Sequence, residues 1–186
     1  MNIKYLYRKN IDNTPENYIL DDISETQGEI FKYVAKRHVD FELFVNNYMN
    51  SCFCNKRMDS IYDVCQLDFA SENYKVIEKE FKSPVIISSI GQISDITAFN
   101  MGFIYRYVSR KYRIPSKELI QLCNYKRVLS MLNILSDGLY TDWEKEMIKM
   151  CNGGHFYYEY GYGYEYEKEH PSDIYIYGKR GKYKEV

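Results

Sequence analysis

The segment from Asp95 to about Arg113 leaves this chain few ways to fold. Ile96, Phe99, Phe103 and Tyr107 recur along one helical stripe, while Met101, Ile104, Tyr105, Val108 and Tyr112 cover much of the remaining girth. A helix that is apolar around most of its circumference has to be enclosed by other elements, which predicts a central helix in a compact multi-helix domain. Its charges are also ordered. Arg106, Arg110 and Arg113 stand at i, i+4 and i+7, a spacing that aligns their guanidinium groups on one stripe. Planar forks of donors suit carboxylates and phosphates, so these arginines and the neighbouring Tyr105 and Tyr107 are candidate binding residues. The plainer reading is that the arginines form the single solvated face of a buried helix.

Helical signals flank this segment on both sides. Ser24-Glu25-Thr26-Gln27 has the form of a capping box and predicts a helix start at residue 24, with Ile30, Phe31, Val34 and Ala35 as its buried stripe. Asp40 is placed to cap a second helix carrying Phe41, Phe44, Val45, Tyr48 and Met49. Helices follow around 58–67 and from Ser71 to Phe81, the latter stopped by Pro84. Val85 to Ile90 reads either as a strand or as an extended buried linker, with the linker preferred. Pro115 or Ser116 restarts the chain as a helix, another spans Tyr125 to Leu135, and Thr141-Asp142-Trp143-Glu144 repeats the capping-box form before a helix that ends at Asn152-Gly153-Gly154. The expected architecture is mostly α: an arm over 1–23, a helical domain over 24–152 and a tyrosine-rich tail over 153–186.

With 186 residues, one domain plus a tail accounts for the length. The 25 basic and 26 acidic residues nearly cancel, so no global field favours nucleic acid or acidic lipid, and neither is expected as a partner. The sequence contains no apolar run of membrane-spanning or signal-peptide length, which predicts a cytoplasmic location. Cys52, Cys54, Cys65, Cys123 and Cys151 are irregularly spaced and are expected as reduced thiols. Together with His38, His155 and His170 they lack the recurring close pairs of a structural zinc site, so no metal is expected. No local signature supports a Cys–His nucleophile, and no glycine-rich strand-to-helix loop supports nucleotide binding. No cofactor and no catalytic residue is assigned.

The tail is unlike the rest. Tyr158, Tyr160, Tyr162, Tyr164 and Tyr166 fall at every second position, which in an extended chain puts all five phenols on one face. Ile174-Tyr175-Ile176-Tyr177 alternates again, and the acidic stretch 156–173 precedes a basic one over 174–186, a pattern consistent with a β-hairpin that folds back on the helices. Tyr160, Tyr162 and Tyr164 are candidate contacts to a protein or sugar, whereas the surrounding glutamates would repel a phosphate backbone. Tyr157 to Tyr166 also resembles the tyrosine-cluster tails of bacterial tyrosine kinases of capsule and exopolysaccharide loci, without the nucleotide-binding motifs of those kinases.

A second resemblance lies in the body. Phe44-Val-Asn-Asn-Tyr-Met-Asn-Ser51 with Met58-Asp59, Met101-Gly-Phe-Ile-Tyr-Arg-Tyr-Val108 and Ile114-Pro-Ser-Lys-Glu-Leu119 resemble a family of small helical bacterial proteins encoded beside ADP-ribosyltransferase-like proteins in toxin–antitoxin or defence-type loci. What the resemblance implies is a non-enzymatic regulator that binds a protein partner, with an ADP-ribosyltransferase-like protein as the candidate. Arg106, inside the matched Tyr-Arg-Tyr, would then be an interaction residue or a buried hydrogen-bond donor between helices. The alternatives are a phage-encoded inhibitor of a host or defence protein, or a small enzyme with an Arg/Tyr site on the 95–113 helix.

Overall fold

A computed structural model describes residues 16–37, 39–81 and 93–153. The arm before Glu16, the Val85 to Ile90 segment, the three histidines and the tyrosine-rich tail with Tyr160, Tyr162 and Tyr164 lie outside the described residues. Within them the architecture is mostly α-helical: α1 (Glu16–Ala35), α2 (Phe41–Asn50), a π-helical turn (Cys54–Met58), a 3-10 turn (Val64–Gln66), α3 (Ala70–Glu80), α4 (Asp95–Tyr112), α5 (Ser116–Leu122), α6 (Tyr125–Ile134) and α7 (Tyr140–Cys151).

The central helix is α4, as its girth requires. It touches α1, α5, α6 and α7, and every residue from Met101 to Ser109 is buried. Its longest contact is with α1. There the two backbones meet at glycines: a Cβ on Gly102 would lie 2.5 Å from the carbonyl oxygen of Gln27 and 2.9 Å from the Cα of Gly28. Only hydrogen fits that crossing. On another side of α4, Phe103 stacks on Tyr107 at 5.9 Å, and Tyr140 of α7 meets both rings edge-on. Phe31 of α1 receives Phe41, Phe44 and Tyr48 of α2 in edge-to-face contacts at 5.1–5.8 Å, an arrangement favoured by the ring quadrupoles.

Several helix ends follow local rules. Asp40 accepts the Leu43 amide at the start of α2, and Asn124 does the same for the Arg127 amide in α6. Others depart from the sequence expectation. The helix expected to start at Ser24 begins at Glu16, so Ser24 lies inside α1 with its hydroxyl bonded to the Leu20 carbonyl, and Gln27 turns into the core. Thr141 is likewise inside α7, and Glu144 reaches Tyr112 and Lys111 of α4 rather than its own helix start. The helix expected around 58–67 is replaced by the π turn, a loop and the 3-10 turn. Ile96, on the same helical stripe as Phe99, Phe103 and Tyr107, is 74% exposed in the first turn of α4.

Candidate functional site

Arg106 is wholly buried at the centre of α4, where an unpaired guanidinium would be prohibitive. Its partners come from three separate segments, α1, residues 54–59 and the start of α5. Nε donates to Gln27 Oε1 of α1 at 2.9 Å; Nη1 donates to the Met58 carbonyl at 3.1 Å and to Asp59 Oδ1 at 2.6 Å; Nη2 donates to Cys54 Sγ at 3.2 Å and Ser116 Oγ at 3.1 Å. The fork therefore has five acceptors, matching its five N–H groups. The partners are satisfied in turn. Gln27 Nε2 donates to the Gly102 carbonyl at 3.0 Å, and Oε1 also accepts the Tyr48 hydroxyl at 3.2 Å. Asp59 accepts the Ser116 hydroxyl at 2.6 Å and the Ser116 amide at 2.9 Å, so a carboxylate from another segment supplies the N-terminal acceptor of α5. The π turn has a role here, because it brings Cys54 Sγ and the Met58 carbonyl to the same guanidinium.

The other arginines of the sequence stripe go elsewhere. Arg110 donates to the carbonyls of Ser60 and Ile61, and Arg113 is exposed, ending α4 in a left-handed conformation at φ 55°. The three do not share one solvated face. Tyr105 is buried and donates to the Cys123 carbonyl at 2.7 Å, while Tyr107 lies in the stack with Phe103. Burial pushes the Cys54 thiol up to about 11, so Cys54 meets Arg106 as a neutral thiol rather than as an activated nucleophile. Among the described residues, no group of three or more ligating side chains is positioned to hold a metal ion.

The surface has its own anomaly in the segment 57–71, where several large apolar side chains face solvent. Several of its polar side chains fasten the local backbone. Gln66, which is buried, donates to the carbonyls of Arg57 and Ser60 at 3.0 and 2.9 Å, and Asn73 donates to the Cys65 carbonyl at 2.8 Å. Arg57 binds Asp63 through Nε and Nη2, and that bond, with the Cys65 amide, holds the Asp63 carboxyl down at about 2. Met58 and Cys65 enter the core, but the other large apolar side chains point outward: Ile61 is 93% exposed, Phe69 is 83% exposed, and Tyr62, Val64 and Leu67 are also exposed.

Leu67 and Phe69 form one wall of a groove of about 640 Å³ whose other wall is α1. Asp22, Glu25 and Glu29 lie along that helix face at i, i+3 and i+7, and Asp68 joins them from the opposite wall. Among the described residues, no lysine or arginine lines the groove; Lys32 reaches Glu29 from outside at 2.9 Å. None of these groove residues was a candidate from sequence. The α1 face becomes legible only once α1 is known to extend before Ser24, and the outward apolar residues only once 58–67 is known not to be a helix. Comparison of the chain with protein-family models, with curated proteins and with solved structures finds no match.

Proposed function

We propose that this chain is a non-enzymatic, cytoplasmic protein-binding component of a bacterial toxin–antitoxin or defence-type locus, and that its partner docks in the groove between α1 and residues 67–71. The observation that carries this reading is the outward display of Leu67 and Phe69 on a segment whose backbone is fixed by Asp63 and Gln66. Large exposed apolar side chains on a fixed frame are what a protein partner covers with little ordering cost. The partner segment carries the complementary chemistry: basic residues for Asp22, Glu25 and Asp68, and an apolar or aromatic anchor for Phe69. A nucleic-acid backbone would be repelled by the same carboxylates. An ADP-ribosyltransferase-like protein encoded beside the gene is the partner that the family resemblance favours. Commitment of the Arg106 and Tyr105 donors to internal acceptors favours this reading over an enzyme site on α4.

The test is co-purification of the full chain with the product of the adjacent gene, followed by titration of the two purified proteins. Binding of the unmodified chain is expected to weaken as salt rises, and Phe69→Asp or the pair Asp22→Lys and Glu25→Lys should weaken it at least about tenfold, roughly 1.4 kcal/mol. Binding that is indifferent to all three substitutions would move the interface elsewhere. Absence of a stoichiometric protein partner in the native host would remove the function itself.

A further inference from the structure

Cys123 and Cys151 are 28 positions apart in sequence, yet their sulfurs stand 3.3 Å apart. Cys123 is the C-cap of α5, and Cys151 is the last residue of α7. The surrounding bonds hold Cys123 in place. Its amide donates to the Leu119 carbonyl at 2.8 Å, its carbonyl accepts the Tyr105 hydroxyl at 2.7 Å, and its thiol reaches the Met147 carbonyl at 3.5 Å. Cys123 is fully buried while Cys151 is partly exposed, so a reagent from solvent meets Cys151 first. The hydrogen bond with Cys151, together with burial, pushes the Cys123 thiol above its ordinary range. A disulfide needs the sulfurs at roughly 2.0 Å, so the two have little more than about 1 Å to close.

We propose that Cys123 and Cys151 form a reversible redox site, a dithiol that takes a low-molecular-weight disulfide as its oxidant. The Cys151 thiolate attacks one sulfur of the oxidant, breaking its disulfide and releasing one small thiol. The Cys123 sulfur, losing its proton, then displaces the second small thiol from the mixed disulfide. The protein loses two protons and two electrons in total, and the oxidant leaves as two thiols. The product ties the end of α7 to the corner between α5 and α6, closing a loop that was free in the reduced unfolded chain. Two other cysteines are buried and engaged elsewhere, Cys54 by Arg106 and Cys65 by the Met58 sulfur at 3.7 Å, while Cys52 is exposed and open to the same oxidant.

The experiment uses the full chain carrying Cys52→Ser, treated with oxidised glutathione, quenched in acid, alkylated and digested for mass spectrometry. The expected result is a Cys123–Cys151 linked peptide, loss of two alkylatable thiols, and a melting temperature raised by several degrees, all reversed by dithiothreitol. Cys151→Ser, at a position that is not fully buried, should remove both the linked peptide and the thermal shift. The proposal is overturned if both thiols remain fully alkylatable at oxidant levels that convert Cys52 in the unmodified chain. It is equally overturned if Cys151 accumulates as a stable glutathione adduct while Cys123 stays free.

Discussion

Arg106 holds more of the structure together than any other single side chain described above, because its acceptors come from α1, from the segment 54–59 and from the start of α5. Removing it leaves the mostly buried Asp59 carboxylate without its cation and Gln27 Oε1 without its closest donor. Arg106→Ala is therefore expected to cost about 3–5 kcal/mol, read as a fall in the urea midpoint. Arg106→Lys should recover only part of this, since three donors on a flexible stem cannot serve five fixed acceptors. A double-mutant cycle between Arg106 and Asp59 should show a coupling above about 0.5 kcal/mol; additive losses would mean that the two do not act as a unit. The sequence marked Arg106 through its place on an apolar helix. What it could not show was the partners, the farthest of which is 79 positions away.

At the scale of the elements, competition for polar side chains explains why α1 and α7 start before the positions that their capping-box patterns predict. Ser-x-x-Gln and Thr-x-x-Glu look like local caps, but local and tertiary partners compete for the same polar side chain. In this fold the tertiary partner wins twice: Gln27 goes to Arg106 and Gly102, and Glu144 goes to Tyr112 at 2.5 Å and Lys111 at 2.8 Å. The bond to Glu144 holds the Lys111 ammonium above the usual lysine range despite its partial desolvation. The tightest element contact, α1 on α4, rests on Gly102. Helix propensity alone would make Gly102→Ala stabilising by about 1 kcal/mol. The contact with the Gln27 backbone reverses the sign, because neither helix can yield without disturbing Gln27, so a net loss of about 1–3 kcal/mol is expected in chemical denaturation. A stabilised Gly102→Ala protein would show that the crossing is looser than these distances require.

For the whole molecule, the division of labour between inside and outside is the informative property. Phe69 is exposed, so Phe69→Ser should change folding stability by less than about 0.5 kcal/mol, measured by thermal and urea unfolding, while it removes the anchor proposed for the partner. A large loss of stability would instead make Phe69 part of the core. The sequence by itself determined the mostly helical class, the central place of the 95–113 segment and the Asp40 cap, because periodicity and near-neighbour hydrogen bonding are set by residues only a few positions apart. Tertiary structure alone decided where Gln27 and Glu144 are used, which way the 57–71 segment faces, and that Cys123 meets Cys151. Each of those depends on which distant backbone or side chain arrives at the same point, and no local spacing encodes that arrival.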